Sequence, residues 1–507
     1  MNNKRQNIAV IFLITVIIIK FLIWNDNNQK WIIKDVYYQH PIDEPLSIAP
    51  QPTLISTTDE LFPATISDAS KLYRVEVEGI VQPKNIEQIQ ETVQLAKDEK
   101  KKISMSGARH SMGGQNAFDN SIHLDMREFN NIQYNQEDQT VTVQSGATWK
   151  SIQNKLSKHN RSVQVMQDSN IFTVGGSIAV NAHGKDPNFS TLIHTVNEFQ
   201  LVNAEGELIT CSRTENPELF YAVHGGMGLF GVVTQVTLNT NPNNIYQTKL
   251  ELFDSKDFLH NMEQSSADSE LSEAHFSMDQ DNLLKEVLVY NYKPTNTTKD
   301  VEDDITGENS IWLRKAIYRL ARNSDWGQKV RWFLEKNLSP IIDPELTTRN
   351  TAMAVPVRFL ELDDPNSTDI LQEYFIPTDK VDEFIPKYRQ LLQKHNINIV
   401  NTTVRKTLAD SEGLLTYSPQ ENYGFVSYYK ITKDQKGQEQ MQTFVQELMD
   451  YLLEIDGKYY LAYNNYYTQD QIHRMYPKLQ ELFQLKQKYD PQELFNNQWY
   501  ENHKIGQ

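Results

Sequence analysis

The sequence predicts an α+β protein with a ligand-binding part first and a second mixed part after it. From Tyr73 to Met105 the pattern is strand, helix, strand, and the second strand breaks into the turn Ser106-Gly107-Ala108-Arg109-His110-Ser111-Met112-Gly113-Gly114-Gln115. Two further glycine clusters, at 173–184 and 224–233, sit among strand and helix patterns. From Leu371 onward strands and amphipathic helices alternate.

Composition narrows the class. The 507 residues are 39% hydrophobic and 23% charged, as in globular chains. A net charge of −17 repels phosphate backbones and argues against a nucleic-acid partner. Cys211 is the one cysteine, so no internal disulfide or multi-cysteine metal site can form. There is no zinc spacing, phosphate-binding Walker loop or hydrolase elbow, and no metal site is expected.

Ile8 to Trp24 is apolar apart from Thr15 and Lys20, at the short end for a membrane span. Lys4 and Arg5 precede it, which favours a cytoplasmic N-terminus, and no small-x-small cleavage site follows. The expectation is a stub and anchor over 1–24, leaving the catalytic part on the non-cytoplasmic side as a single-pass membrane protein. Residues 25–71, polar and dotted with proline, are expected to be a tether.

The folded part starts with a strand over Tyr73–Val81. Pro83 opens a helix in which Ile86, Ile89, Val93 and Ala96 recur at spacings of three, four and three, one face of a 3.6-residue period. Asn85 with Gln88 is a capping pair. Lys100-Lys101-Lys102 closes the helix, where cations suit the dipole. The following strand, Lys102–Met105, delivers the chain to the first glycine turn, and α/β folds bind ligands at such strand ends. Successive free N–H groups in a turn of this kind make a concavity suited to a pyrophosphate, and His110 is placed to touch what binds there.

The third cluster holds Gly226-x-Gly228-x-x-Gly231, a letter-for-letter dinucleotide fingerprint. That fingerprint needs a strand before it and a helix after it. Here Glu215–Val223 reads as helix and Val232–Leu238 as strand, so a nicotinamide-dinucleotide site is rejected.

Taken in order, five blocks resemble the FAD-binding PCMH-type domain of the vanillyl-alcohol oxidase flavoprotein family. They are Val81-Gln82-Pro83, Gly107-Ala108-Arg109-His110-Ser111, Val143 to Trp149, Val174-Gly175-Gly176 with Asn181-Ala182-His183-Gly184, and Gly225 to Val233. The similarity is closest to the sugar-alcohol and aldonolactone oxidase branch, and around His110 to Gln115 it extends to cytokinin dehydrogenases. The resemblance implies a two-part PCMH-type FAD-binding domain over 72–243. An α+β substrate (cap) domain with an antiparallel sheet would follow over 244–465, and a C-terminal segment, 466–507, would return to the FAD domain. It implies FAD held by Ser106, Gly107, Ala108, Arg109, His110, Ser111, Gln115, Gly146, Gly175, Gly176, Ser177, Asn181, His183, Gly184 and Val232. Covalent attachment of the flavin would run through His110.

Glu373, Arg405 and Lys430 match positions that line the flavin's substrate face and are the candidate catalytic residues. The implied reaction is oxidation of a CH–OH group on a sugar, alditol or aldonolactone-like substrate by hydride transfer to flavin N5. Oxygen or a membrane carrier would then reoxidise the flavin. The branch's usual His-Trp-Gly-Lys segment is absent; Tyr459 to Tyr467 stands in that region, which puts the lactone in doubt. The competing reading is a flavin-free, membrane-tethered binding protein, which would be colourless on purification. Trp312–Leu338 is expected to be helical, with Trp326 and Trp332 as anchors; its basic and aromatic residues would suit membrane-surface contact, but core packing inside the cap is the expectation.

Overall fold

The computed structural model describes residues 63–504 apart from 298, 307–310, 356, 358, 359, 361 and 363. The expected anchor at Ile8–Trp24 and most of the expected tether lie outside the described residues. Among the described residues, no helix is long and apolar enough to cross a membrane.

The end of the expected tether is corrected. Ala64–Ser67 is a strand, β1, paired antiparallel with β2, Arg74–Val77. Ala64, Ile66, Val75 and Val77 turn inward and form an apolar cluster with Ile80 and Ala117, so the chain is folded from 64 rather than 72. The expected strand Tyr73–Val81 is also two strands. It breaks at Glu78, whose N–H donates to the Ser121 carbonyl, and resumes as β3, Gly79–Val81, in a different sheet.

Helix Ile86–Asp98 is capped as expected, the Asn85 side chain accepting from the Gln88 N–H. It leads to β4, Ile103–Ser106, and β5, Ile122–Asp125; these form a parallel sheet in the order β3-β5-β4. An antiparallel sheet follows. Its strands are β6 (Ile132–Asn135), β7 (Thr140–Gln144), β8 (Arg161–Val163), β9 (Val196–Val202), β10 (Leu208–Ser212) and β11 (Val232–Pro242). Their order is β10-β9-β11-β7-β6, with β8 on β11. Helix Pro217–Val223 precedes the third glycine cluster and β11 follows it, the reverse of a dinucleotide fingerprint.

The cap is built on a second antiparallel sheet. Its strands are β12 (Ile245–Asp254), β13 (Leu271–Phe276), β14 (Glu286–Pro294), β15 (Leu346–Thr348), β16 (Ser367–Pro377), β17 (Asn398–Thr407), β18 (Asn422–Thr432) and β19 (Lys458–Tyr459). The order is β15-β12-β14-β13-β17-β18-β16-β19. Helix Gln435–Glu454 buries Met441, Phe444, Val445, Leu448 and Leu452, the apolar stripe of its sequence. The helices Ile311–Asn323 and Asp325–Ile342 bring one correction: Trp332 is buried, but Trp326 faces solvent.

The C-terminal segment runs back along β4. The Ile103 N–H donates to the Leu494 carbonyl at 2.7 Å, and the Asn496 N–H donates to the Ile103 carbonyl at 2.9 Å. Phe495 is fully buried against this strand in the same apolar cluster.

Candidate flavin cleft and its polar wall

The three glycine clusters meet around one cleft, with about 820 Å³ of empty space counting its open mouth. Ser106, Gly107, Arg109, Ser111 and Gln115 line it from the first cluster, and Thr173, Gly175 and Gly176 from the second. Met227 to Val233 close it from the third. Gly107 is held close by necessity, since a Cβ there would lie 1.9 Å from Thr173 Oγ1. Gly228 has φ +77°, a conformation that glycine adopts without strain.

The strand end beneath the first cluster is held by a buried histidine. Ser104 and Ser106 flank the two ring nitrogens of His123 at 2.9 and 2.8 Å. Burial pushes His123 down to about 3, so its ring is neutral. Arg109 has φ +58° and donates to Asp125 at 3.0 Å, while Arg127 donates to both oxygens of the same carboxylate. Three buried polar atoms on cleft-lining residues have no partner within the protein: Arg109 Nε, Asn116 Nδ2 and Ser145 Oγ. Such atoms are costly unless something bonds them, and a ligand rich in phosphate and carbonyl oxygens can do so.

Several of the residues expected to hold the cofactor stand outside the lining of this cleft. Ala108 and His110 do not line the cleft; the His110 ring packs edge-on against Phe172 and its Nδ1 donates to the Ala108 carbonyl at 2.7 Å. Gly146 is a packing glycine, a Cβ there lying 1.8 Å from the Met126 carbonyl oxygen. A Cβ on Gly184 would lie 2.9 Å from the Met166 carbonyl oxygen. The Ser177 hydroxyl bonds Gln167. Asn181 and His183 turn toward the cap: Asn181 donates to Asp410 at 3.1 Å, and His183 Nε2 meets Glu373 Oε1 at 2.5 Å. Val232 lines the cleft as expected.

Beside the cleft lies a polar wall that the sequence reading saw only in part. Arg405 donates to Asp168 at 2.7 Å, Lys185 meets Asp168 at 2.8 Å and Glu273 at 2.7 Å, and Arg405 approaches Glu273 at 3.7 Å. Burial would raise the Asp168 carboxyl, but Arg405 and Lys185 outweigh it and hold it down to about 2. The same pairs keep Lys185 and Arg405 charged despite burial. Asp168, Lys185 and Glu273 were missed. Lys185 stands next to the His183-Gly184 block, a signal available in sequence; Asp168 and Glu273 have no local signature.

Tyr460 to Tyr463 link this wall to the cleft. Gln115 Nε2 donates to the Ala462 carbonyl at 2.6 Å, the Tyr460 hydroxyl donates to the Val180 carbonyl at 2.7 Å, and the Tyr460 N–H donates to the Glu373 carbonyl at 3.0 Å. Burial pushes the Tyr460 and Tyr463 phenols well up, with Glu373 adding to it, so both remain protonated donors.

Lys430 stands apart from the other two candidate catalytic residues. It shares β18 with Gly424, which pairs with Arg405, and with Val426, which pairs with Glu373. Lys430 stands six residues beyond Gly424, about 20 Å along a strand. There it donates to Asn323 at 2.8 Å, beside Arg322, Asp364 and Asp369. The strand forms as its sequence predicts, but its opposite end reaches the wall.

The C-terminal segment braces the cleft from behind. Asn497 donates to the Met227 carbonyl at 2.8 Å and buried Lys486 to the Leu229 carbonyl at 2.7 Å, both on cleft-lining residues.

A family model described as FAD binding domain matches residues 77–212, and one described as D-arabinono-1,4-lactone oxidase matches residues 236–503. Cytokinin dehydrogenase 2 of Arabidopsis thaliana is 27% identical over 187 residues, 36% of this chain and 37% of that protein. D-arabinono-1,4-lactone oxidase of Candida albicans is 27% identical over 207 residues, 38% of this chain and 37% of that protein. An FAD-linked oxidoreductase of Penicillium crustosum is 31% identical over 169 residues, 32% of this chain and 37% of that protein. The matched stretch thus spans little more than a third of the length of these relatives.

Proposed function

Because the chain belongs to the D-arabinono-1,4-lactone oxidase family and carries its FAD-binding domain, we propose that it is an FAD-linked oxidase. Its substrate is a sugar, an alditol or an aldonolactone-like compound, oxidised at a CH–OH carbon. The observation that carries this reading is the cleft whose orphaned Arg109, Asn116 and Ser145 atoms fit FAD and which adjoins a charged wall. FAD, when bound, supplies the redox chemistry and accepts the hydride.

The protein's own part is to bind and orient the substrate and to take a proton. Arg405, already charged and already held by Asp168, fixes a substrate oxygen without reorganising. Tyr463, as a neutral phenol, offers a donor where the branch carries a lysine; the Tyr460 hydroxyl is already engaged with the Val180 carbonyl. The hydroxyl proton goes to the His183–Glu373 pair, joined at 2.5 Å; Asp168, held acidic by Arg405 and Lys185, is a poor receiver.

His110 is our candidate for flavin attachment. A carbonyl only accepts, so the bond from Nδ1 to the Ala108 carbonyl puts the proton on Nδ1. In the neutral form of the ring, that arrangement makes Nε2 the nucleophilic position. We also propose that Ile8–Trp24 anchors the chain in a membrane with the oxidase on the non-cytoplasmic side, supported by Lys4 and Arg5 before an apolar run. Oxygen or a membrane carrier would serve as the electron acceptor.

The test is anaerobic addition of aldonolactones, alditols and sugars to purified protein. Loss of the flavin's visible absorbance with one of these classes is the expected result. A yellow protein that none of them bleaches refutes the substrate class, and a colourless one that FAD cannot reconstitute favours the binding-protein reading. A denaturing gel viewed for flavin fluorescence, with His110→Ala beside wild type, tests the attachment separately; a dark wild-type band refutes it.

A further inference from the structure

The helices Ile311–Asn323 and Asp325–Ile342 lie on the cap sheet in an unusual sense. Many of their sheet-facing contacts are polar, although Trp332 also packs against Leu288 and Tyr290. Arg322 is buried and donates to Asp369 at 2.6 Å, Tyr318 donates to the same carboxylate at 2.9 Å, and Arg331 donates to the Val400 carbonyl at 2.7 Å. Trp332 Nε1 donates to Glu286 at 2.6 Å. Large apolar groups face outward instead. Trp312 is 57% exposed, Trp326 48%, Phe333 61% and Ile342 58%. Among the described residues seven large hydrophobics are exposed, and five of them, with Ile341, fall in this stretch, so the exposure is a patch and not scatter.

The second helix shows the pattern most clearly. Trp326, Lys329, Phe333, Asn337 and Ile341 are all exposed and recur at spacings of three or four, one stripe of an α-helix. The patch is also cationic. Of the seven lysines and arginines in 311–342, Arg322, Arg331 and Lys336 bond to the sheet side. Arg314, Lys315, Arg319 and Lys329, the last paired with Asp281, remain against Asp325 and Glu335, in a chain whose net charge is −17. A protein surface partner for this chain could carry either sign. A bilayer bearing anionic lipid would repel the rest of the chain and attract this face. Tryptophan and phenylalanine beside lysine and arginine suit the headgroup boundary, where the rings enter and the cations remain at the phosphates.

We propose that the outer face of these two helices docks on the surface of an anionic lipid bilayer. The proposal rests on exposure and charge and stands independently of the oxidase reading. The apolar run Ile8–Trp24 would, as an anchor, raise the local concentration of such a surface.

Cys211 is buried, so a cysteine introduced as Asn337→Cys gives one accessible position for a polarity-sensitive fluorophore. Full-length labelled protein is reconstituted into vesicles of phosphatidylcholine alone or with phosphatidylglycerol. The expected result on the anionic vesicles is a blue shift and quenching by brominated acyl chains, about twofold or more above the neutral vesicles, and weakened by high salt. Adding Trp326→Ser with Phe333→Ser abolishes the difference, and Arg319→Gln with Lys329→Gln reduces it. Circular dichroism verifies that each variant is folded; these side chains lie outside the buried core. A label equally wet on both vesicle types, in protein that sediments with them, overturns the proposal. A shift that follows protein concentration without lipid overturns it in favour of a second copy of the chain.

Discussion

Arg405 of β17 donates to Asp168 at 2.7 Å, closing the boundary between the cleft-forming half of the chain and the cap. Arg405 is 7% exposed and Asp168 19%, and Lys185 and Glu273 complete the group. Removing one partner of a buried pair leaves an uncompensated charge. Arg405→Ala is expected to lose about 3 kcal/mol of unfolding free energy, at the lower end for such pairs because Lys185 still faces Asp168. It is also expected to lower kcat/KM by about 10²–10³. Arg405→Lys should recover stability better than turnover, because an ammonium cannot reproduce the planar fork. Urea titration and steady-state kinetics measure the two effects.

Lys430 supplies the contrast. It bonds Asn323 at the far end of β18, away from the wall. Lys430→Ala is expected to leave kcat and KM within about twofold of wild type, since a distant, partly exposed contact contributes little. A loss comparable with that of Arg405→Ala would place the reacting carbon elsewhere.

Gly107 tests the cleft itself. A side chain there collides with Thr173 Oγ1 at 1.9 Å. Overpacking of this kind costs about 1–3 kcal/mol, so Gly107→Ala should weaken FAD retention by about tenfold or more. Adding Thr173→Ala removes the colliding oxygen and should restore part of it. Flavin-to-protein absorbance ratios give the readout.

A pH dependence follows from the second tie between the halves. Asp410 accepts from His194 Nε2 at 3.1 Å, from Asn181 and from Thr191. The bond to Asp410 raises the His194 imidazole above its ordinary value, outweighing burial. A group whose folded pKa is raised stabilises fully below its unfolded value, about 6.5, and loses that contribution as pH climbs through the folded value. His194→Gln should therefore be less stable than wild type below that pH, with the gap narrowing at higher pH. Identical pH profiles would remove His194 from this role.

The chain's own letters determined a good deal. The period of Ile86, Ile89, Val93 and Ala96 specifies a helix, because 3.6-residue spacing is a local property. The helix and strand around Gly226 to Gly231 were legible for the same reason, and they removed the nicotinamide fold. The glycine turns marked the cleft because backbone close approach leaves a compositional trace. Tertiary structure decided which polar groups meet. Asp168, Lys185, Glu273 and Arg405 come from distant parts of the chain and share no spacing, so only sheet order and register could assemble them. Register also set Lys430 at the wrong end of a correctly read strand, and packing put Asn181 and His183 against cap carboxylates instead of in the cleft. The outward-facing Trp326 and Phe333 needed the fold too, since an apolar stripe in sequence does not say whether a core or a bilayer will cover it.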